Sequence, residues 1–270
     1  MSPRRPLTIL TFNIRYGSAP DGPLRWTSRK RLALDRIRDA DPDLIGLQEC
    51  EDNCQAWYLR RALDDYGFVG IRTDPGDTEM APVFYRRSAF RHVRSGHFWL
   101  GASPSRPGSR SWGAAFPRTV TWVQLEWRGT SKPFHFVNTH FDYAPGVAAR
   151  SATMLRRWLV ETVAGDPVVV VGDFNSTKQS IAYRRLTRQR ARASSRRDRV
   201  RLVDAYRAVH PDGAGEGTYH AFGECRSPAA IDWILSSHHF TIVDAYVDRT
   251  GDAGRFPSDH FPLVATLRFA

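Results

Sequence analysis

Apolar residues in this chain fall into two kinds of block. Dense short runs bounded by Gly, Pro, Asp and Asn alternate with longer stretches in which apolar positions recur every three or four residues. The densest run is Val168 to Val171, four β-branched residues in a row. Such side chains are stiff and pack well on a pleated sheet, so the run predicts a strand buried on both faces. Leu7 to Ile14 and Leu44 to Leu47 read the same way, and Thr119 to Trp127 alternates with the period of a half-buried strand. Further strands are predicted at Val69 to Arg72, Pro82 to Arg86, Phe134 to Asn138, Ile231 to Leu235, Thr241 to Val247 and Pro262 to Phe269.

The helical period is clearest in Val147, Met154, Leu155, Trp158, Leu159 and Val163. Leu32, Ala33, Ile37 and Ala40 predict a second helix starting near Trp26, and Ala56 to Leu63 a third. Residues 74–79 form an acidic loop, and residues 101–117 have the composition of a long surface loop. Thr11-Phe-Asn13 and Asp173-Phe-Asn175 each end a buried strand, and each half of the chain mixes strands with helices. Two β/α halves packed sheet against sheet, with helices outside, account for this echo. No low-complexity linker divides the chain, so residues 1–270 are expected to form a single domain.

Composition changes this picture at one place. Lys and Arg total 39 against 28 Asp and Glu, a net charge of +11. The segment Arg184–Arg201 holds nine arginines and one aspartate, so eight of those charges sit there and three are left for the other 252 residues. This is a nearly balanced chain with one basic segment. Three cysteines, Cys50, Cys54 and Cys225, are too few and too odd in number for a disulfide framework. Two of them without a His/Cys partner set make a poor zinc site. The sequence near residue 1 has no secretory apolar core, and no stretch approaches the roughly 20 apolar residues of a membrane span. The expectation is a cytoplasmic protein.

The polar residues at strand ends carry the candidate chemistry: Asn13, Glu49, His140, Asp142, Asp173, Asn175, Asp232, Asp259 and His260, with Glu79 just before a strand. Any one of them, alone, reads as an ordinary loop residue; Asp173 and Asn175 alone read as an Asx turn. Ten at corresponding positions point to a site. Carboxylates and amides without thiolate favour a hard cation, Mg²⁺ or Mn²⁺. Two histidines and several carboxylates beside such an ion suit phosphoester hydrolysis.

The motifs TFNIR (from Thr11), LQE (from Leu47), NTHFD (from Asn138), GDFN (from Gly172), IDWI (from Ile231) and PSDHFP (from Pro257) occur in the order and spacing of a known family. The chain resembles the endonuclease/exonuclease/phosphatase superfamily, whose members include pancreatic deoxyribonuclease and the abasic-site endonucleases. That resemblance implies a four-layer αββα sandwich of two packed mixed sheets, with the active site at one edge. It implies metal binding by Glu49, helped by Asn13 and Asp259. It also implies that Asp173 orients or deprotonates the attacking water while Asn175 positions phosphate or nucleophile. His260 would contact a non-bridging phosphate oxygen and be held by Asp259, and Asp232 would complete the site. His140 matches the second histidine of the deoxyribonuclease-like branch, paired with Glu79; the abasic-site branch has a tyrosine at that place. Two departures stand out: Ala230 where a basic residue often precedes IDxI, and Thr78 where Gly usually precedes the glutamate.

Substrate is less determined. A nucleic acid or nucleotide would use Arg184–Arg201 to follow phosphates, although the run contains no aromatic residue and equally suits a solvated loop or helix. A small phosphate ester would sit under the long loop carrying Trp99, Trp112, Phe116 and Arg118. A lipid phosphodiesterase and a non-catalytic binding protein are the remaining readings. The expectation is a Mg²⁺-dependent phosphodiesterase or nuclease, with a small-molecule or nucleotide phosphatase as the alternative. Oligomeric state is left open.

Overall fold

The computed structural model describes residues 5–128, 133–163, 165–187, 200–225 and 228–270. In chain order the first half runs β1 (Leu7–Asn13), α1 (Trp26–Ala40), β2 (Leu44–Gln48), β3 (Cys50–Glu51), α2 (Cys54–Ala62), β4 (Tyr66–Val69), β5 (Glu79–Met80), β6 (Val83–Arg86), β7 (Phe90–Trp99) and β8 (Thr119–Trp127). The second half runs β9 (Pro133–His140), α3 (Val147–Trp158), β10 (Val168–Asp173), α4 (Ile181–Thr187), β11 (Leu202–Asp204), α5 (Ala205–Val209), β12 (Asp232–Ser237), β13 (Phe240–Val247) and β14 (Leu263–Phe269).

Two six-stranded mixed sheets form, in the orders β13-β14-β1-β2-β6-β4 and β11-β12-β10-β9-β8-β7. In each, a central parallel pair, β1 with β2 or β9 with β10, is flanked by antiparallel strands. One apolar layer, including Leu7, Ile9, Phe136, Val169, Val171 and Ile234, fills the space between the sheets. A second packs α1 and α2 on the outer face of the first sheet through Trp26, Ile37 and Leu59. A third packs α3 and α4 on the outer face of the second through Leu155, Val170 and Trp233. The result is the expected four-layer αββα sandwich.

The valine run explains its own place. Odd-numbered Val169 and Val171 enter the intersheet layer while Val168 and Val170 face the helices, which is what a strand with two buried faces requires. Beneath the site the sheets approach closely at Gly46, where an added Cβ would lie 2.4 Å from Val171 Cγ2. There Gln48 Nε2 donates to Asn138 Oδ1 at 2.7 Å, and Asn138 Nδ2 donates to the Leu47 and Pro82 carbonyls. These buried amides tie one sheet to the other, with Gln48 Oε1 alone of their polar atoms left without a partner among the described residues.

Several boundaries differ from expectation. The strand predicted over residues 69–72 is β4, ending at Val69; Arg72 makes only an isolated bridge to Met80. The long helix becomes a π-helical turn at Leu159–Val163. β7 was not anticipated: Arg91 to Ser95 are exposed in this edge strand, so no apolar alternation marks it. Of the basic segment, residues 188–199 lie outside the described residues. No helix among the described residues is long and apolar enough to cross a membrane.

Candidate active site

The parallel pairs of the two sheets end together, and their ends form the floor of a cleft of about 650 Å³. From β1 comes Asn13, fully buried, and just after β2 comes Glu49. From β9 and β10 come His140 and Asp173, register partners in adjacent strands. Asn13 Nδ2 donates to Glu49 Oε1 at 3.1 Å and to Asp173 Oδ2 at 3.0 Å, so one amide joins the carboxylates of both sheets. Glu49 Oε2 accepts the Tyr16 backbone N–H at 3.1 Å.

The turns that present these groups are left-handed. Arg15, Glu49 and Asn175 have φ of 55°, 55° and 45°. Non-glycine residues in that region are uncommon and cluster where function fixes geometry. β10 ends at Asp173, so Asn175 reaches the cleft through this turn rather than through the pleat. Asp173 Oδ1 accepts the Asn175 N–H at 2.8 Å. The local Asx turn therefore forms and uses one oxygen, while Oδ2 faces the site. Before it, Gly172 is needed because a Cβ would lie 2.1 Å from the Thr139 carbonyl oxygen.

His260 Nδ1 lies 2.8 Å from Asp232 Oδ2 and its Nε2 lies 3.7 Å from Asp173 Oδ2. Burial opposes a charge on this ring, but the Asp232 carboxylate and its hydrogen bond outweigh it, lifting the imidazole to about 10. His260 is therefore an imidazolium at neutral pH. Its holder is Asp232 and not Asp259, the partner that the family resemblance implied. Asp259 instead accepts Ser258 Oγ at 3.1 Å and faces Arg15 Nη1 at 4.0 Å. Asp232 Oδ1 is buried and has no hydrogen-bond partner.

On the opposite wall, His140 Nε2 is 3.1 Å from Asn175 Nδ2 and 3.5 Å from Asp173 Oδ2. Its Nδ1 lies 3.2 Å from Glu79 Oε1 and 2.8 Å from Arg118 Nη1, and Arg118 also donates to Glu79. Burial pushes the Glu79 carboxyl up, but the Arg118 charge and the His140 hydrogen bond win, bringing it down to about 2. The expected Glu79–His140 pair is thus present, with a third member. Arg118 is 39 residues from Glu79 in the chain, and nothing in its sequence neighbourhood announced the contact.

Asp142 does not join. β9 ends at His140, the chain turns, and the Asp142 carboxylate accepts the Phe116 N–H at 2.7 Å and the Ala144 N–H at 2.8 Å. One residue of α1 serves the site from behind. Arg29, 3% exposed, donates to the carbonyls of Ile14, Arg15 and Pro257 and so joins the turn after β1 to the segment before His260.

A divalent cation fits the donor set in chemistry. Glu49, Asp173 and Asp259 offer carboxylate oxygens, Asn13 faces Glu49 and Asp173 with Nδ2 while its Oδ1 accepts the Arg15 N–H at 3.0 Å, and Asp232 Oδ1 is a buried acceptor without a donor among the described residues. Asp173, Asp232 and His260 place possible ligand atoms within 4.8 Å of one another. In that trio the hydrogen bond to Asp232 already engages Nδ1 of His260, while its Nε2 stands 3.7 Å from Asp173 Oδ2.

Comparison with known proteins agrees with this geometry. Residues 10–260 match the model of the Endonuclease/Exonuclease/phosphatase family. An endonuclease/exonuclease/phosphatase from Bacteroides vulgatus superposes with a TM-score of 0.87 at 30% identity, covering 99% of this chain and all of the other. A mannosyl-6-phosphatase from Bacteroides thetaiotaomicron superposes with a TM-score of 0.82 at 27% identity, covering 97% of this chain and all of the other. Rat nocturnin is 24% identical over 303 aligned positions that take in 98% of this chain and 66% of nocturnin. The chain thus spans just under two-thirds of that relative's length.

Proposed function

The chain belongs to the endonuclease/exonuclease/phosphatase family, and from that premise we propose that it is a Mg²⁺-dependent phosphoester hydrolase in which water attacks phosphorus directly. The observation that carries the reading is the line Asp232, His260, Asp173: a buried carboxylate holding an imidazolium that faces a second carboxylate. Related proteins bear the names of a nocturnin, a 3'-5'-exoribonuclease subunit and a mannosyl-6-phosphatase. Phosphate ester hydrolysis is the chemistry that these names and this geometry support together.

Glu49 would be the principal metal ligand, with Asn13 and Asp259 supplying further oxygens. When bound, the cation offsets phosphate charge and acidifies coordinated water. Asp173 Oδ2 takes the proton of the attacking water as its oxygen bonds to phosphorus and the bond to the leaving oxygen breaks. His260 donates from Nε2 to a non-bridging phosphate oxygen, where negative charge grows. Asp232 keeps that ring protonated and oriented. Asn175 and His140 hold the opposite side of the phosphate, and Glu79 with Arg118 keeps His140 in place.

The reading of the substrate as a phosphodiester or nucleic acid leaned on Arg184–Arg201, of which residues 188–199 lie outside the described residues. A phosphatase acting on a small molecule is the second reading, favoured by a cleft of small-molecule size. The test is phosphate release by the purified protein with Mg²⁺, Mn²⁺ or EDTA, against DNA, RNA, nucleotides and small mono- and diesters. Metal-dependent turnover that disappears in Asp173→Ala and His260→Ala is expected. No turnover on any ester, or retained turnover in both variants, refutes the proposal.

A further inference from the structure

We infer that this cleft takes the monophosphate of an uncharged, hydroxyl-bearing ring of the sugar type, seated against an aromatic lip formed by Phe116 and Tyr143. The inference rests on the phosphoester hydrolase reading and narrows its substrate. Three features of the cleft carry it: a built aromatic edge, an acidic wall and the absence of uncommitted cations among the described lining residues.

Phe116 and Tyr143 line the cleft and remain 42% and 61% exposed, large for aromatic side chains in a folded domain. Their ring centroids are 6.0 Å apart with planes at 62°. The buried Asp142 carboxylate fixes both, accepting the N–H of Phe116 with one oxygen and that of Ala144, next to Tyr143, with the other. The Arg118 guanidinium lies 5.2 Å from the centroid of the Phe116 ring. The lip is therefore set in position next to Glu79 and His140, and the described residues leave it uncovered. Exposed aromatic surface of this kind suits the C–H face of a sugar or another flat ring.

Charge chooses among rings. Glu49, Glu51, Asp77, Glu79, Asp173 and Asp259 line the cleft, against the guanidiniums of Arg15 and Arg118. Arg15 is spent on Asp21 through Nε at 3.2 Å and Nη2 at 3.0 Å, and Arg118 is spent on Glu79. A dication held at Glu49 would compensate one phosphate. A second phosphate would meet Asp77 and Glu51 with no free cation to receive it, the reverse of how proteins hold nucleic-acid backbones. Asp77 uses Oδ1 on the N–H groups of Thr78 and Glu79, and its other oxygen makes no hydrogen bond among the described residues. An unspent carboxylate oxygen beside an aromatic edge accepts from hydroxyl groups. A cleft of about 650 Å³ is also of small-molecule size.

The experiment measures phosphate release by the full chain with Mg²⁺ from glucose 6-phosphate and mannose 6-phosphate, AMP, the 5'-phosphorylated thymidine dinucleotide, and methyl phosphate, which has no ring. The expected kcat/KM for the better hexose phosphate exceeds that for AMP by about tenfold and that for the dinucleotide by about a hundredfold. Phe116→Ala and Tyr143→Ala should each lower it about fivefold more than they lower methyl phosphate turnover, mainly through KM. Preference for AMP or the dinucleotide, or equal losses on hexose phosphate and methyl phosphate, overturns the inference while leaving the hydrolase reading in place. No metal-dependent release from any of these esters overturns both.

Discussion

Two charge groups, one fully and one partly buried, include residues only five apart in the chain, Asp173 and Lys178, and they are built differently. The first is the site trio of Asp173, Asp232 and His260. The second is Lys178 with Asp204, Glu216 and Arg207. Lys178 Nζ lies 2.9 Å from Asp204 and 3.3 Å from Glu216, and Arg207 holds both oxygens of Glu216 at 2.6 Å. The remaining acceptors of Asp204 take the Tyr183 hydroxyl and the Arg207 N–H. Every carboxylate oxygen in the second group has a donor. In the first, Asp232 Oδ1 has none, and Asp173 Oδ2 is approached by Asn13 and two histidines at 3.0 to 3.7 Å. Burial of charge is common to both. What marks the first group as a site is incomplete pairing, which leaves valence for something the chain itself does not supply.

That contrast can be broken by exchange of roles. Asp173→Ala should lower kcat by about 10²–10⁴-fold, with a urea midpoint shifted far less than that of any variant in the paired group. A steady-state assay beside a denaturation curve checks both halves. Lys178→Met should do the opposite. Removing one member of a buried, satisfied ion group costs about 3–5 kcal/mol in stability, while turnover per folded molecule stays within about twofold. Equal damage to activity in Lys178→Met would erase the distinction.

Two smaller effects sharpen it through pH. The Glu79 carboxyl sits at about 2, below its ordinary 4.5, because of Arg118 and His140 acting against burial. The unfolded chain therefore binds the proton first as pH falls. The stabilisation is complete above pH 4.5 and is lost as pH drops toward 2. Glu79→Gln should flatten the urea midpoint between pH 5 and pH 3, where the wild type declines. His220 gives the mildest case. It is 1% exposed, stacks on Phe261 at 3.6 Å, and has no hydrogen bond at either ring nitrogen. Burial, with the charge of His260, lowers it to about 4. It stays neutral when folded, so stability is full above pH 6.5 and falls as pH goes from 6.5 toward 4. His220→Phe, close in volume, should change stability at pH 7 by less than about 1.5 kcal/mol and remove that part of the acid slope.

The strands that position the site were readable because their apolar runs are unbroken: Val168 to Val171 could pack only as they do. Asp173, Glu49 and His140 were readable with them, since a polar residue at the end of a buried strand has few places to go. Partners across space were not. Asp232 lies 28 residues from His260, whereas Asp259 is adjacent in sequence; the backbone carries the adjacent carboxylate away toward Ser258 and Arg15. Asp142 stands apart for a related reason: the strand stops at His140, and the carboxylate two residues on is drawn into local backbone bonds. Arg118 reads in sequence as part of a loop, because its ion pair with Glu79 joins the residue before β8 to β5, which no local pattern links. The edge strand β7 was invisible because its solvent-facing positions remove the apolar contrast on which period reading depends.

Arg29 has a consequence for the order of events in time. Its guanidinium is satisfied by carbonyls at Ile14 and Arg15, made early in synthesis, and by Pro257, made some 240 residues later. β1 likewise needs β14 as its antiparallel neighbour. Until residues 257–267 have left the ribosome, α1 carries a cation whose partners are incomplete, and the turn bearing Arg15 lacks its counterpart. The cleft thus assembles only once residues 257–267 are available. A chain that lacks residues 257–267 is expected to leave the turn after β1 without these partners, so the first motif depends on the last for its shape.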